Sequence, residues 1–431
     1  MTKAMDAKNI QDIYTLSSTQ KGILFHILSE PDSGIYLEQI VCTLSGDIDI
    51  DNFEQAWQQI IDRHTCLRTG FIWQDLDQPV QVVYQRVQLQ IEKYDWSKQS
   101  TFQQKELLET YIKADRKRIY KLSQPPLMRL TLIEVGEKNY KFIWSVYHLV
   151  LDAWSLNIIL KEFFNCYDAF CKGYSANLAP SLPYRNYITW LKQQNLSQAE
   201  AFWREILRGW QSPTKLAVGS PTHTQGLSQE DILLPSETTA ALKSLAKQYH
   251  LTVNTLILGA WALLLSHYSG EKDVLFGVVV SGRPTTLAGV ESMAGLFINT
   301  LPMRVKVSVS DSLLPWLKEL QSQQIKLRQY EYSPLVQIQS WSDLPKGLPL
   351  FENIIVFQNS LVDVCEAPNK NFQIVNINSS VNSNYPLGLA VIPGSQFRLE
   401  LRYDMSRFYT DTIKNILAHI QTILSSMVAK L

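Results

Sequence analysis

The sequence predicts an α/β protein with mixed sheets, divided into two lobes. Three observations predict it. The chain has 431 residues, 45% hydrophobic and 19% charged. That composition is ordinary for a globular protein, and the length exceeds the ~250–300 residues at which a single core stops growing. Apolar residues repeat with helical spacing in some segments and gather in β-branched runs in others, and both halves of the chain show this alternation. Between the halves, residues 172–186 (KGYSANLAPSLPYRN) concentrate Gly, Pro, Ser and Asn. Such a stretch reads as a boundary, which places the lobes at 1–176 and 177–431.

The elements follow in order. The opening MTKAMDAKN is polar and expected to be loose. Ser17 and Ser18 can cap a helix through TQKGILFHIL. YLEQIVCTLSG then reads as a strand, with a glycine stop. Asp51 can cap NFEQAWQQIIDRH, where Phe53, Ala56, Trp57, Ile60 and Ile61 recur at i, i+3, i+4, i+7 and i+8. QPVQVVYQ is a strand, and residues 101–120 form an amphipathic helix. PLMRLTLIEVG and KNYKFIWSVYHLV are two strands joined by a turn at Gly136–Asn139. WSLNIILKEFFNCYDAF is a long helix. In the second half, helices at 197–208, 236–249 and 252–268 alternate with strands at 273–280, 300–307, 351–357 and 397–403. Residues 343–349 and 359–384 read as long loops, which are often functional in a compact enzyme.

Composition excludes several classes of function. Lysine plus arginine equals aspartate plus glutamate, at 40 each, so the chain lacks the basic excess of a general nucleic-acid or membrane-surface binder. No segment reaches the ~20 apolar residues of a membrane span, and the first thirty residues carry no apolar signal region. TLILGAWALLL (255–265) is too short and has a core-helix pattern. The five cysteines, Cys42, Cys66, Cys166, Cys171 and Cys365, form no CxxC and read as free thiols of a reducing cytoplasm. No phosphate loop, HExxH or GxSxG elbow is present. No His/Cys cluster gathers, so no metal is expected.

One segment carries a chemical pattern: Ser145-Val-Tyr147-His148-Leu-Val-Leu-Asp152-Ala153-Trp154-Ser155. A strand ends on a histidine, and an aspartate follows four residues later before a helix. On the residues alone, a histidine ending a strand more often serves structure than chemistry. Tyr147 and His148 point to opposite faces, so one packs while the other can face a cleft.

SVYHLVLDAWS resembles the HHxxxDG motif of nonribosomal peptide synthetase condensation domains, which have the chloramphenicol-acetyltransferase-like fold. Further segments match in the family's order: DIYTLSSTQKGILFHIL (12–28), RHTCLRTGF (63–71), YRNYITWL (184–191), VSGRP (280–284), AGLFINTLPMR (294–304), YEYSPLVQIQSWS (330–342) and LFENIIVFQN (350–359). Together they cover essentially the whole chain. The resemblance implies two such lobes in a V shape with a tunnel between them, a floor loop at about 281–304 and a latch at about 343–390.

The resemblance also implies a function: an acyltransferase forming an amide between a donor acyl thioester and an acceptor aminoacyl amine. Both substrates would ride on phosphopantetheine arms of partner peptidyl carrier proteins, upstream and downstream, with an adenylation domain adjacent. No cofactor would bind directly, and the chain would act as a monomer in the cytoplasm. His148 is the implied catalytic residue. Asp152 is implied to pair with an arginine and fix the loop, Arg283 being the preferred partner and Arg68 and Arg63 the fallbacks. Ser155 is expected to cap the following helix and Trp154 to pack. Asn299 and Ser281 are expected along the tunnel, with the Asn299 amide bonding either substrate or backbone. Two positions depart from the motif. Tyr147 replaces the first histidine, and Ala153 replaces the closing glycine, where it disfavours positive φ. These departures keep two alternatives in view: an ester-forming acyltransferase of the same fold, and a degenerate docking domain of the same assembly line. STQKGILFH leans toward domains that accept D-configured donors.

Overall fold

A computed structural model describes residues 7–216, 226–308, 312–358 and 371–430. Its elements in chain order are β1 (Ile10–Thr15), α1 (Ser18–Ser29), β2 (Leu37–Gly46), α2 (Ile50–Arg63), β3 (Thr69–Ile72), β4 (Val80–Tyr84), β5 (Ile91–Asp95), α3 (Thr101–Arg116), β6 (Met128–Gly136), β7 (Asn139–Tyr147), α4 (Ala153–Cys171) and α5 (Arg185–Lys192). There follow α6 (Leu196–Ile206), β8 (Leu227–Leu233), α7 (Ser236–Gln248), α8 (Val253–Ser269), β9 (Asp273–Val280), β10 (Asn299–Lys306), α9 (Leu313–Arg328), α10 (Leu335–Trp341), β11 (Asn353–Phe357), β12 (Phe372–Ser380), β13 (Leu387–Ile392), β14 (Arg398–Asp404) and α11 (Thr410–Lys430).

The chain divides into two compact units, and both are discontinuous. One comprises Met1–Gln193, Arg283–Phe297 and Leu361–Asn384; the other comprises Gln194–Gly282, Ile298–Ser360 and Tyr385–Leu431. The first break therefore falls after Gln193 rather than at 176, and two later segments return to the first unit. No linear sequence boundary can express such a return.

The first unit is built on a five-stranded sheet in the order β12-β2-β7-β6-β5, with a separate three-stranded sheet β1-β4-β3. β2, β7 and β6 pair antiparallel, while β5 runs parallel to β6. Alternation along β7 sends Phe142, Trp144 and Val146 to one face and Ile143, Ser145 and Tyr147 to the other, and both faces are buried. Trp57 of α2 meets Trp144 at 5.0 Å and stacks on Phe163 of α4 at 4.6 Å. The predicted helical stripe on α2 is wholly buried. Its cap is Asp49 rather than Asp51, because the Asp49 carboxylate accepts the Asn52 amide hydrogen. Ser17 caps α1 in a reciprocal capping box with Gln20.

Part of the predicted 359–384 loop is a strand. β12 pairs antiparallel with β2 from Phe372↔Gly46 to Ser380↔Gln39. A bulge between Ile374 and Asn376 interrupts its period-two pattern, which hides it from a search for alternation. Residues 359–370, with Cys365, lie outside the described residues.

The second unit holds a six-stranded mixed sheet in the order β10-β9-β11-β13-β14-β8, in which β11 runs parallel to both neighbours. The apolar run at 255–265 is its central helix, as its pattern predicts. Leu256, Leu258, Trp261, Leu264 and Leu265 are buried in α8, and Trp261 Nε1 donates to Asn353 Oδ1 at 3.0 Å. No single helix among the described residues is long and apolar enough to cross a membrane. Cys42, Cys66, Cys166 and Cys171 form no disulfide among the described residues; the first three are buried and Cys171 is half-buried.

Candidate active site

β7 delivers His148 to the end of a ladder. The His148 amide donates to the Tyr36 carbonyl at 2.8 Å, one rung beyond the last regular pair, Leu37↔Tyr147. The chain then turns, and Val150 N returns to the Tyr147 carbonyl at 3.1 Å. Two side chains fix this turn. Gln20 of α1, only 1% exposed, donates from Nε2 to the Leu149 carbonyl at 3.1 Å. The His148 ring closes on its own loop, with Nδ1 2.6 Å from the Leu151 carbonyl.

That last contact assigns the tautomer. A carbonyl only accepts, so Nδ1 carries the hydrogen and the neutral ring keeps its lone pair on Nε2. The loop thus orients one nitrogen of a half-buried imidazole as a proton acceptor.

Asp152 ends the loop, fully buried, and caps α4 by accepting the Ser155 amide hydrogen at 2.8 Å. The expected cap, Ser155, plays another part. Its hydroxyl lies 2.7 Å from Asp152 Oδ1 and 2.8 Å from the Gly295 carbonyl, with one proton to serve one of them. The same oxygen accepts from Gly295 N at 3.0 Å and from Arg283 at 2.9 Å. Phe297 N donates to Asp152 Oδ2 at 3.0 Å, and Asp152 N donates to the Gly295 carbonyl at 3.1 Å. A side chain at residue 295 would place a Cβ 2.2 Å from the Tyr184 ring. Glycine is therefore what lets this strap approach the loop.

Arg283 is the partner of Asp152, at 3.2 Å, with both side chains buried. Its other nitrogen donates to the Val290 and Met293 carbonyls, and the guanidinium lies 4.0 Å over the Phe297 ring. Burial pulls the Arg283 guanidinium below its ordinary value, and the Asp152 charge opposes that pull.

The two fallback arginines are engaged elsewhere. Arg63 pairs with Glu162 at 2.8 Å. Arg68 donates to the Ile61 carbonyl at 3.1 Å and to Gln11 Oε1 at 2.8 Å. The RHTCLRTGF segment thus ties α2 to its neighbours, and neither of its arginines pairs with Asp152. Trp154 is 36% exposed; its ring lies 5.3 Å from the Arg283 guanidinium, and its Nε1 donates to the Glu291 carbonyl at 3.0 Å.

The motif departures fall where they leave His148 undisturbed. Tyr147 is buried, 4% exposed, and meets Tyr120 edge-on at 4.9 Å; burial raises its phenol above the ordinary value. Ala153 is the first residue of α4 and is not among the positive-φ residues, so the backbone there needs no glycine. In the second unit, the Asn299 amide is spent on backbone. Nδ2 donates to the Glu331 and Ser333 carbonyls, each at 2.8 Å, and Oδ1 accepts from Thr300 N at 2.9 Å. Ser281 lies just past β9 and is half-buried.

Sequence reasoning passes over Gln20 and Gly295. The capping box that marks Gln20 is legible in Ser-Ser-Thr-Gln, but its second bond, to a carbonyl 129 residues away, leaves no local signal. Among the described residues no three His, Cys, Asp or Glu side chains gather as metal ligands.

Comparison with known proteins matches this arrangement to a family. The pattern described as Condensation domain covers residues 10–431. A linear gramicidin synthase polypeptide of Brevibacillus parabrevis is 41% identical over 424 residues, which is 97% of this chain and 8% of the relative. Surfactin synthase subunit 3 of Bacillus subtilis (strain 168) is 34% identical over 97% of this chain and 33% of its own length. The chain thus spans only a small part of these relatives. The fold matches the first condensation domain of the calcium-dependent antibiotic synthetase with a TM-score of 0.83 at 15% identity, covering 98% of this chain and 97% of that one. It matches the starter condensation domain of rhizomide synthetase with a TM-score of 0.80 at 21% identity, covering 99% and 96%. With its histidine loop strapped through Asp152 and Arg283, and with the family pattern running from residue 10 to residue 431, the chain belongs to the condensation domains of nonribosomal peptide synthetases.

Proposed function

We propose that the chain joins a donor acyl or peptidyl thioester to the amine of an acceptor aminoacyl thioester, with both substrates carried on phosphopantetheine arms of peptidyl carrier proteins in the cytoplasm. One observation carries the reading: His148 Nδ1 is committed to the Leu151 carbonyl at 2.6 Å, which leaves Nε2 as an oriented acceptor.

The chemistry asks little more of the protein. An α-amine titrates near ~7.7–8, so a neutral fraction is present at physiological pH. The amine nitrogen attacks the thioester carbonyl carbon and the C–N bond forms. Nε2 accepts the proton that nitrogen must lose. The C–S bond then breaks, and the imidazolium returns the proton to the departing thiolate. The amide remains on the acceptor arm. Positioning two tethered reactants supplies much of the rate, since such placement is worth ~7–11 kcal/mol. Asp152 is not a second base. Its oxygens are already taken by Ser155, Phe297 N and Arg283, so its work is to hold the loop. Tyr147 and Ala153 leave that loop intact, which favours an enzyme over a docking domain.

The test is reconstitution. Two loaded carriers are mixed with the protein, and the acceptor carrier is weighed by intact mass. Wild type is expected to give the amide, and His148→Ala to be slower by roughly 100-fold or more. Product from an alcohol acceptor but not from an aminoacyl carrier would select the ester-forming alternative. No product with any carrier pair would select the docking alternative.

A further inference from the structure

Five carboxylates are buried among the described residues: Glu38, Asp115, Asp152, Glu331 and Glu400. Three have arginine partners. Asp115 meets Arg129 at 2.7 Å, Asp152 meets Arg283 at 3.2 Å, and Glu400 meets Arg402 at 2.7 Å. Burial raises the Glu331 carboxyl toward its neutral form, against the pull of Arg328. Glu331, like Glu38, forms no ion pair among the described residues, but it lies in the second unit, whereas Glu38 and His148 lie in the first. Glu38 is 5% exposed, and its partner is a hydroxyl: Ser379 Oγ donates to Oε1 at 2.7 Å. Among the described residues no lysine, arginine or histidine forms an ion pair with it. A buried carboxylate that no side-chain cation meets is an open place for a cationic partner.

The strand register says where Glu38 points. Glu38 lies opposite Val146 in the β2–β7 ladder, so the two side chains share a face. The ladder continues through His148 N to the Tyr36 carbonyl. The backbone of His148 therefore stands one diagonal step from Glu38, just past the end of β7. Diagonal neighbours of this kind stand roughly 7–8 Å apart, within reach of long side chains. A cation-deficient carboxylate and the free nitrogen of His148 thus flank one corner of the sheet.

We propose that the missing cation comes from the substrate: Glu38 binds the α-ammonium of the acceptor aminoacyl group and orients it on the His148 side of the sheet. The proposal rests on the amide-forming reading of the site. At about pH 7 most of an α-amine is ammonium, so the acceptor arrives carrying the charge that Glu38 lacks. Ser379 holds one carboxylate oxygen in place, which fixes the direction of the other.

Binding tests this without turnover. Calorimetry at about pH 7 compares alanyl-pantetheine amide with its desamino counterpart, propionyl-pantetheine amide. Wild type is expected to prefer the amine by roughly tenfold, the scale of one charge-assisted contact. Glu38→Gln keeps the shape and loses the charge, and its preference is expected to fall to about twofold or less. A folded Glu38→Gln protein with the wild-type preference overturns the proposal, as does a wild type that shows no preference or binds neither ligand. Glu38→Asp covers the case of a glutamine variant that does not fold. It keeps the charge but withdraws it by one methylene, and is expected to lose most of the preference; full preference in that variant overturns the proposal equally. Amide formation by wild type alongside an unchanged preference in the variants sinks this inference and spares the reading of the site. Absence of amide from wild type sinks that reading.

Discussion

Two buried aspartates stand on either side of the strand that carries His148, and they hold it in different ways. Asp115, at the end of α3, takes Arg129 Nε at 2.7 Å, the Gln39 amide at 2.9 Å and the Ser145 hydroxyl. Gln39 and Ser145 belong to the β2–β7 ladder itself. Arg129 is fourteen residues from Asp115. Asp152 takes instead a backbone amide and an arginine from a segment more than 130 residues further along the chain. The first network joins α3 to residues of the sheet itself and grips the strand before it ends. The second is tertiary and grips the loop after it ends. Regularity of the sheet is secured by the first, while the position of the imidazole depends on the second.

The sharpest way to break this contrast is to remove each carboxylate in turn. Asp152→Ala leaves Arg283 buried without its counter-charge and strips the cap from α4. Losing one member of a buried pair costs about 3–5 kcal/mol, and the 283–297 strap loses its anchor at the same time. Urea titration should show the full loss, and any folded fraction should form amide far more slowly. An Asp152→Ala protein as stable as wild type would show that the strap is held by packing alone.

Asp115→Asn should cost less, about 2 kcal/mol near neutral pH, since Arg129 is partly exposed and keeps its bond to a carbonyl. Its signature lies in the pH dependence. Burial works against the Asp115 charge, but the bonds from Arg129, Ser145 and Gln39 outweigh it and hold the carboxyl below its ordinary value. A carboxyl depressed in the folded state adds stability that is complete above the unfolded value of ~3.9 and is lost as pH falls through the folded value. Wild type should therefore lose more stability than Asp115→Asn on going from about pH 5 to about pH 3. Parallel acid limbs in the two proteins would show that the charge of Asp115 is not what the network uses.

Legibility in the sequence follows the same division. Periodic elements could be read: the α2 stripe, the two long strands meeting at Gly136–Asn139 and the core helix at 255–265 all appear where their patterns place them. Features that depend on a distant partner could not. β12 carries a bulge that breaks its alternation, so its strand character shows in its pairing with β2. The boundary at 176 missed the segments that return to the first unit. At the site, family resemblance supplied His148, Asp152 and Arg283. It could not say that Asp152 displaces Ser155 as the cap, because both residues suit that position chemically and only the backbone decides. It ranked Arg283 ahead of Arg68 and Arg63, and the structure pairs Arg283 with Asp152.

Tyr120 offers the finest test of whether strand and loop are separable. Its hydroxyl donates to the Ser145 carbonyl at 3.1 Å, its ring meets Tyr147 at 4.9 Å, and Arg129 lies 4.0 Å over the ring. Tyr120→Phe removes only the hydroxyl and keeps both ring contacts, so stability should fall by about 1 kcal/mol, the net worth of one hydrogen bond. If the strand network secures the sheet and the strap secures the imidazole, the rate of amide formation should change by less than about twofold, because His148 Nδ1 still meets the Leu151 carbonyl. A rate loss in Tyr120→Phe comparable to that of Asp152→Ala would mean that the end of β7 and the loop beyond it move as one body. The two aspartates would then be two anchors of a single clamp, and the arginine strap would hold no privileged claim on the histidine.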